Sequence, residues 1–234
     1  MTSPADPRRV VSLVPSATES LLAWGIEPVA VTRFCEHPEL PAVGGTKDPD
    51  VAAIVALAPD LVVVCREENR REDADALVAA GLAIHVVDLD LVTDHAREMA
   101  ALAAAVGRPD PELGLAPDLR PTGRTRVFVP IWRRPWMTMS GGTYGSSLLA
   151  SIGLDNVFAD ADTRYPEVTL DEVAARSPDL VVAPSEPYPF AERHVAELEQ
   201  VAPVVLVDGR DLFWWGVRAP AAQRRLATAL VVIP

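Results

Sequence analysis

Four of the five tryptophans, Trp132, Trp136, Trp214 and Trp215, stand in two short clusters that also hold Arg133, Arg134 and Arg218. An indole presents a flat apolar face with one polar edge, and two such clusters favour a ligand wall. A guanidinium fork binds carboxylate or phosphate through paired hydrogen bonds. Arg66 adds a further basic position on a chain that is otherwise acidic. Stacking faces and anion clamps are binding chemistry. The competing role for each ring is packing between lobes or beneath its own loop, and for each guanidinium an internal ion pair or plain solvation. Helix starts at Ser16 and at Gly141-Gly142-Thr143 would add backbone amides aimed at an anion.

Chemistry that makes or breaks bonds finds less support. Cys35 and His37 are two apart, and thiolate and imidazole both suit zinc or a softer metal. The four histidines are scattered, however, and no complete metal-ligand motif surrounds the pair. The spacing leaves an axial contact to a metal already inside a ligand as the better use. There is no Gly-rich dinucleotide fingerprint, no phosphate-binding loop ending in Gly-Lys-Ser/Thr, and no Gly-x-Ser-x-Gly elbow. Glu36, Glu67, Glu68 and Glu186 are lone loop carboxylates, which solvent usually claims.

The elements that must position these residues are written twice. Asp50-Val51-Ala52-Ala53-Ile54-Val55-Ala56-Leu57-Ala58-Pro59-Asp60-Leu61-Val62-Val63 reappears as Thr169-Leu170-Asp171-Glu172-Val173-Ala174-Ala175-Arg176-Ser177-Pro178-Asp179-Leu180-Val181-Val182. Flanking segments repeat in the same order, Leu21–Ile26 with Leu148–Leu154 and Val86–Asp88 with Leu206–Asp208. A period near half the chain is far longer than that of a solenoid. It describes two similar lobes with a cleft between them, and such clefts are where small ligands usually bind.

Each lobe alternates strand and helix, which implies parallel sheet. In the first, strands are expected at Val10–Val14, Val29–Thr32, Leu61–Val64 and Ile84–Val87. Its helices are expected from Ser16, over Asp50–Leu57, over Glu72–Ala80 and over His95–Val106. Ser16 with Glu19 three residues on reads as a capping box. The second lobe follows with strands Val127–Pro130, Leu180–Ala183 and Val204–Val207. Helices are expected from about Thr143, over Leu170–Ala175, over Phe190–Gln200 and over Pro220–Leu230. Between Gly107 and Arg126 the prolines Pro109, Pro111, Pro117 and Pro121 predict that the helix stops near Val106 and irregular chain follows. The expected division is residues 8–106, a linker at 107–125, and residues 126–234.

Ligands of parallel sheets lie beyond the carboxyl ends of the strands. That rule selects Pro15-Ser16, Phe34–His37, Cys65-Arg66, Trp132–Trp136, Ser185–Tyr188 and Asp211–Trp215.

Charge and length narrow the class. The 234 residues and 49% hydrophobic content can fill two compact cores. Net charge of -12 argues against a nucleic-acid partner, whose phosphates call for a basic patch. No apolar run is long enough for a membrane span. The opening Met1–Arg9 lacks the zones of a secretory signal. The expected compartment is therefore the periplasm or cell surface if a signal has been removed, and the cytoplasm if the sequence is complete. Cys35 and Cys65 are either two free thiols or one disulfide.

Several of these phrases resemble a known family. Arg9–Glu19, Val43-Gly44-Gly45-Thr46-Lys47, Ala58–Val63 and Ser177–Val182 look like the helical-backbone substrate-binding proteins of ABC importers. Pro15-Ser16-Ala17-Thr18-Glu19 and Asp211-Leu212-Phe213-Trp214-Trp215 are most similar to its cobalamin-binding branch. The resemblance implies an α/β fold of two doubly wound parallel-sheet lobes joined by a helical linker, periplasmic-binding-protein-like. It implies a ligand such as cobalamin, haem or a ferric siderophore, no catalytic cofactor, and a monomer that meets an ABC permease. It places ligand contacts at Ser16, Phe34, Lys47 and Arg66 in the first lobe, and at Trp132, Tyr188, Asp211, Trp215 and Arg218 in the second. Cys35, Arg133, Trp136 and Trp214 join them from the loop reading, and Glu72 and Glu192 stand at helix starts where the permease would contact each lobe. The leading reading is a non-catalytic receptor for a corrinoid or related metal chelate. The alternative is a cytoplasmic enzyme or sensor on the same scaffold, acting on a tetrapyrrole or metal chelate.

Overall fold

A computed structural model describes residues 9–108, 115 and 124–230. The chain divides into two compact units, and the division is interleaved. Among the described residues, the first takes 9–89, 94–108 and 215–217; the second takes 90–93, 115, 124–214 and 218–230.

The first unit runs β1 (Val10–Ser12), α1 (Pro15–Ala23), β2 (Ala30–Val31), α2 (Val51–Ala56), β3 (Leu61–Cys65), α3 (Arg71–Ala79), β4 (Ile84–Val87) and α4 (His95–Ala105). Its sheet has the order β2-β1-β3-β4 with every pair parallel. All five residues of β3 are buried, as a strand covered on both faces requires. The core gathers Val11, Leu13, Ile54, Val62, Val64 and Leu77. Three of these come from the sheet, two from the helices laid over it, and Leu13 from the link after β1.

The second unit contains β5 (Thr125–Phe128), β6 (Trp136–Met137), α5 (Tyr144–Ser151), β7 (Leu154–Asn156), β8 (Glu167–Val168), α6 (Leu170–Ala175) and β9 (Leu180–Pro184). It continues with α7 (Val195–Leu198), β10 (Val204–Val207), α8 (Gly209–Phe213) and α9 (Ala219–Leu230). Its main sheet, β10-β9-β5-β7, is again wholly parallel, and β6 and β8 form a separate antiparallel ribbon. Read as β7-β5-β9-β10, the order repeats that of the first unit strand for strand.

The duplication extends to single hydrogen bonds. Arg9 N–H donates to Asp60 Oδ2 at 2.8 Å while Asp60 N–H donates to Arg9 O at 2.8 Å. Arg126 and Asp179 exchange the same two bonds, each at 2.8 Å. Each arginine side chain then reaches the end of the preceding helix, Arg9 to Leu57 O at 2.8 Å and Arg126 to Arg176 O at 2.6 Å. Carbonyls at a helix end lack intrahelical partners, so both guanidinium groups satisfy acceptors that would otherwise go unpaired. Ala58 and Ser177, one residue before each proline, share a left-handed φ of 45° and 49°. Pro59-Asp60 and Pro178-Asp179 therefore occupy equivalent helix-to-strand turns, at the amino ends of β3 and β9.

α4 ends close to the expected point. Gly107 has φ 72°, its N–H donates to Ala104 O at 3.1 Å, and Arg108 N–H reaches back to Ala103 O at 2.8 Å. Such a closure needs a left-handed residue after the last helical turn, and glycine adopts it without a Cβ clash. Pro109, Pro111, Pro117 and Pro121 lie outside the described residues.

Four local expectations are corrected. Ser16 is not an N-cap, because Pro15 occupies the first helical position of α1 and Val14 the cap, with no side-chain cap bond. Proline suits that position through its preset φ and missing N–H. The helix expected over Phe190–Gln200 is a 3-10 turn at Glu192–His194 followed by the single turn of α7. Asp211–Trp215 is not all loop, since α8 begins at Gly209 with Asp208 accepting from Arg210 N–H at its cap. Trp136 lies in a strand.

Candidate functional site

In the first unit the carboxyl ends of the strands are tied together by Asn69, which no motif in the sequence marked. Its side chain accepts from Cys65 N–H at 2.8 Å and donates to Leu13 O at 3.2 Å and Thr46 O at 2.9 Å. One buried amide thus fixes the ends of β1 and β3 and the loop that carries Lys47. Lys47 is exposed and donates to Glu67 O at 2.9 Å. Glu68 is pushed up to about 7, first by loss of solvent, with the charge of Lys47 opposing the shift. Arg66 is exposed and bonds through Nε to Asp88 Oδ1 at 2.5 Å. Solvent screens a pair of this exposure, which leaves the guanidinium able to exchange partners.

Phe34, on the loop after β2, is 55% exposed, with the Arg33 guanidinium 5.0 Å above its ring. Cys35 Sγ lies 3.3 Å from Thr18 Oγ1, and both it and Cys65 are free thiols. Burial, reinforced by the charge of Glu68, pushes the Cys65 thiol up to about 12. Ser16 is buried, and its carbonyl accepts from Ser20 Oγ at 2.9 Å. Ser20 Oγ also accepts from Val217 N–H at 3.3 Å, and His95 Nε2 lies 3.0 Å from Gly216 O. Those bonds hold the short segment that carries Trp215, whose own surface is only 3% exposed.

The second unit builds a different rim. After β5 the chain turns through Ile131–Met137, where Ile131 N–H donates to Met137 O at 2.8 Å and Met137 N–H to Trp132 O at 3.2 Å. Trp136 pairs with Val168 across the β6–β8 ribbon and stacks on Phe190, with ring centroids 6.0 Å apart and planes at 6°. Phe190 is buried and meets Tyr188 at 4.8 Å and His194 at 5.5 Å. Trp132 completes the chain of rings, edge-on to Tyr188 at 5.5 Å, and is 44% exposed. The inner rings therefore fix the outer one: Trp132 presents an indole to solvent whose angle is set by Tyr188 and, beneath that, by Phe190. Such contacts contribute about 0.5–1.5 kcal/mol each beyond their area.

Arg133 belongs to the support of this rim. It reaches Glu197 through Nε at 2.9 Å and Nη2 at 2.7 Å and lies 5.9 Å from the Trp136 ring. Its bond to Glu197 raises its already high pKa. Loss of solvent holds the neighbouring His194 ring below the usual histidine range, with Arg193 and Arg133 acting in the same direction.

A second group gathers at α8 and α9. Asp211 is buried and receives Arg225 through two bonds, at 2.6 and 2.5 Å, and Arg218 at 3.4 Å. Arg218 lies 5.1 Å from the Trp214 ring, whose Nε1–H donates to Glu186 Oε2 at 3.1 Å. Asp211 is thus an organiser of two guanidinium groups rather than an exposed acceptor. Arg225 was missed, although its distance of seven residues from Arg218 is two helical turns and would have placed both on one face. Gly141 has a packing reason for being glycine, since a Cβ there would sit 2.8 Å from Ala159 O. Thr143 caps α5 by accepting from Ser146 N–H.

Glu72 is exposed in the first turn of α3, and Glu192 is exposed in the 3-10 turn before α7. The two turns follow equivalent strands, β3 and β9. Among the described residues, no group of three or more His, Cys, Asp or Glu is placed to hold a metal ion, and no helix is long and apolar enough to cross a membrane.

Residues 10–113 match the family model described as periplasmic binding protein. A vitamin B12-binding protein of Pectobacterium carotovorum is 28% identical over 89% of this chain and 83% of its own. One from Yersinia pestis is 30% identical over 78% of this chain and 71% of its own. Among solved structures, the periplasmic vitamin B12 binding protein BtuF of Vibrio cholerae aligns over 97% of both chains with a TM-score of 0.81 at 22% identity. The periplasmic heme-binding protein RhuT from Roseiflexus aligns over 96% of this chain and 98% of its own, with a TM-score of 0.77 at 22% identity. These likenesses in fold agree with the duplicated sheets, and the similarity to the Yersinia protein carries the assignment: the chain belongs to the vitamin B12-binding branch of the helical-backbone periplasmic binding proteins.

Proposed function

We propose that the protein is a non-catalytic receptor that binds a cobalamin-like corrinoid outside the cytoplasm and delivers it to an ABC permease. The observation that carries the reading is the ring chain of the second unit, in which buried Phe190 and half-buried Tyr188 hold a largely exposed Trp132 at the carboxyl end of β5. A planar macrocycle with apolar faces suits such a ring, because aromatic stacking rewards flat contact and the order already present in the free protein limits the entropy lost on binding. Phe34, exposed at the carboxyl-end loops of the first unit, offers a second flat face. Lys47, Arg66 and Arg218 supply donors for amide or anionic side groups, and Arg133, Trp136, Trp214 and Asp211 hold the contact residues in place. Ser16, Cys35 and Trp215 are the remaining proposed ligand positions of the first unit. Glu72 and Glu192 are the proposed permease contacts, exposed at equivalent places in the two units.

Calorimetric titration with cobalamin, haem and a ferric siderophore tests this directly, with absorbance spectra taken before and after. The expected result is saturable binding of cobalamin with quenched tryptophan emission and unaltered ligand recovered on denaturation. Binding of haem or siderophore alone would reassign the ligand, and chemical turnover would replace receptor by enzyme.

A further inference from the structure

The turn that carries Trp132 contains two adjacent arginines in opposite circumstances. Arg133 is held by Glu197 and lies against Trp136. Arg134 is exposed and forms no ion pair or hydrogen bond among the described residues. Its backbone has φ 68°, in the left-handed region that side chains with a Cβ avoid. Glycine, or asparagine, would occupy this position with less strain. Strain retained at an exposed position, by a side chain with no structural partner, points to a use for that side chain.

From this we infer that Arg134 is an anion clamp which, together with the stacking face of Trp132, recognises the phosphodiester in the nucleotide arm of a complete corrinoid. The inference rests on the corrinoid reading above and deepens it. The guanidinium stands two residues from the exposed indole, at the tip of a turn whose base is closed by the Ile131–Met137 hydrogen bonds. A fork with five donors fits a phosphate oxygen pair bidentately, which a lysine point charge cannot do. The chain carries a net charge of -12, so an unpaired cation at a ligand rim also counters the repulsion that an anionic ligand would meet. The amides at the corrin periphery are neutral, which leaves the phosphodiester as the one fixed negative group that Arg134 would distinguish.

The test compares cobalamin with cobinamide, which lacks the nucleotide arm and its phosphodiester, on wild type, Arg134→Gly and Arg134→Lys. Haem, whose anions are carboxylates, is the third ligand. Arg134→Gly should weaken cobalamin binding by about ten-fold, leave cobinamide affinity unchanged, and keep or raise the thermal midpoint because the strain is relieved. Arg134→Lys should fall between them, retaining charge without the fork. Equal loss for cobalamin and cobinamide, or no loss for either, overturns the assignment while the receptor reading stands. Loss confined to haem reassigns the clamp to carboxylates and overturns the phosphodiester. A wild-type protein that binds neither corrinoid overturns the corrinoid reading on which the clamp rests. A lowered thermal midpoint for Arg134→Gly would show that the side chain stabilises the turn and would count against the clamp.

Discussion

The first strand of each sheet leads to a helix, and the two connections could hardly differ more. In the first unit, Leu13 and Val14 alone join β1 to α1; in the second, Val129–Thr143 separate β5 from α5 and contain Trp132, both arginines of the turn and Trp136. The supports beneath are the same. Arg9 with Asp60 and Arg126 with Asp179 make matching bonds at the opposite ends of the strands. The frame thus occurs twice, while the ring-bearing rim belongs to the second unit alone among the described residues. The strand-end groups are correspondingly uneven: the second unit has a chain of rings held at fixed angles, and the first has an exposed phenylalanine, Phe34, with polar groups near it.

The largest effect should come from removing the centre of the ring chain. Phe190→Ala deletes a buried ring in contact with Trp136, Tyr188 and His194, and should cost about 3–5 kcal/mol of stability in urea unfolding. A cost near zero would mean that the rings do not support one another. Next in size, Trp132→Ala should weaken corrinoid binding by about 1–3 kcal/mol, with little change in stability because the ring is 44% exposed. Phe34→Ala should cost less than about 1 kcal/mol in the same titration, since its ring is 55% exposed, with the guanidinium of Arg33 over it. Reversal of that order would place the main stacking face in the first unit.

Asp60→Ala and Asp179→Ala probe what the halves share. Each removes one acceptor from the same backbone N–H geometry, so thermal unfolding should show comparable small drops. A large drop in one and none in the other would show that the duplicated turns carry different loads. The smallest effect concerns Glu68, a feature of the first unit only. Burial pushes its carboxyl up to about 7 in the folded protein, above the ordinary value of 4.5. The folded state therefore holds more protons between those limits, and stability falls as pH rises from about 4.5 to about 7. Glu68→Gln should raise the thermal midpoint modestly at pH 8 and lose that advantage near pH 4. An equal gain at both pH values would point to packing instead of protonation.

The repeated phrase around Pro59-Asp60 and Pro178-Asp179 sufficed to locate the two sheets, because strand and helix periodicity are local and each copy corroborates the other. Helix ends were legible for the same reason: Gly25, Gly81 and Gly107 all fall, with positive φ, two residues past the end of a helix. Where local signals competed, the reading failed. Ser16 with Glu19 has the spacing of a capping box, yet Pro15 starts the helix earlier, since a proline needs no partner at the first position. The aromatic and basic clusters were visible as composition, but their division of labour was not. Which arginine binds an acid of its own unit depends on what the fold brings alongside, as Glu197 comes to Arg133 from 64 positions away. Asn69 joins Leu13, Thr46 and Cys65 across more than fifty positions, and nothing next to it in the chain announces the role. The fold class and the duplication were therefore settled by residue order alone, because hydrophobic period and turn chemistry act over a few residues. Which rings face solvent and which cations stay unpaired was decided only in the folded protein, because burial and ion pairing depend on what the rest of the chain brings alongside.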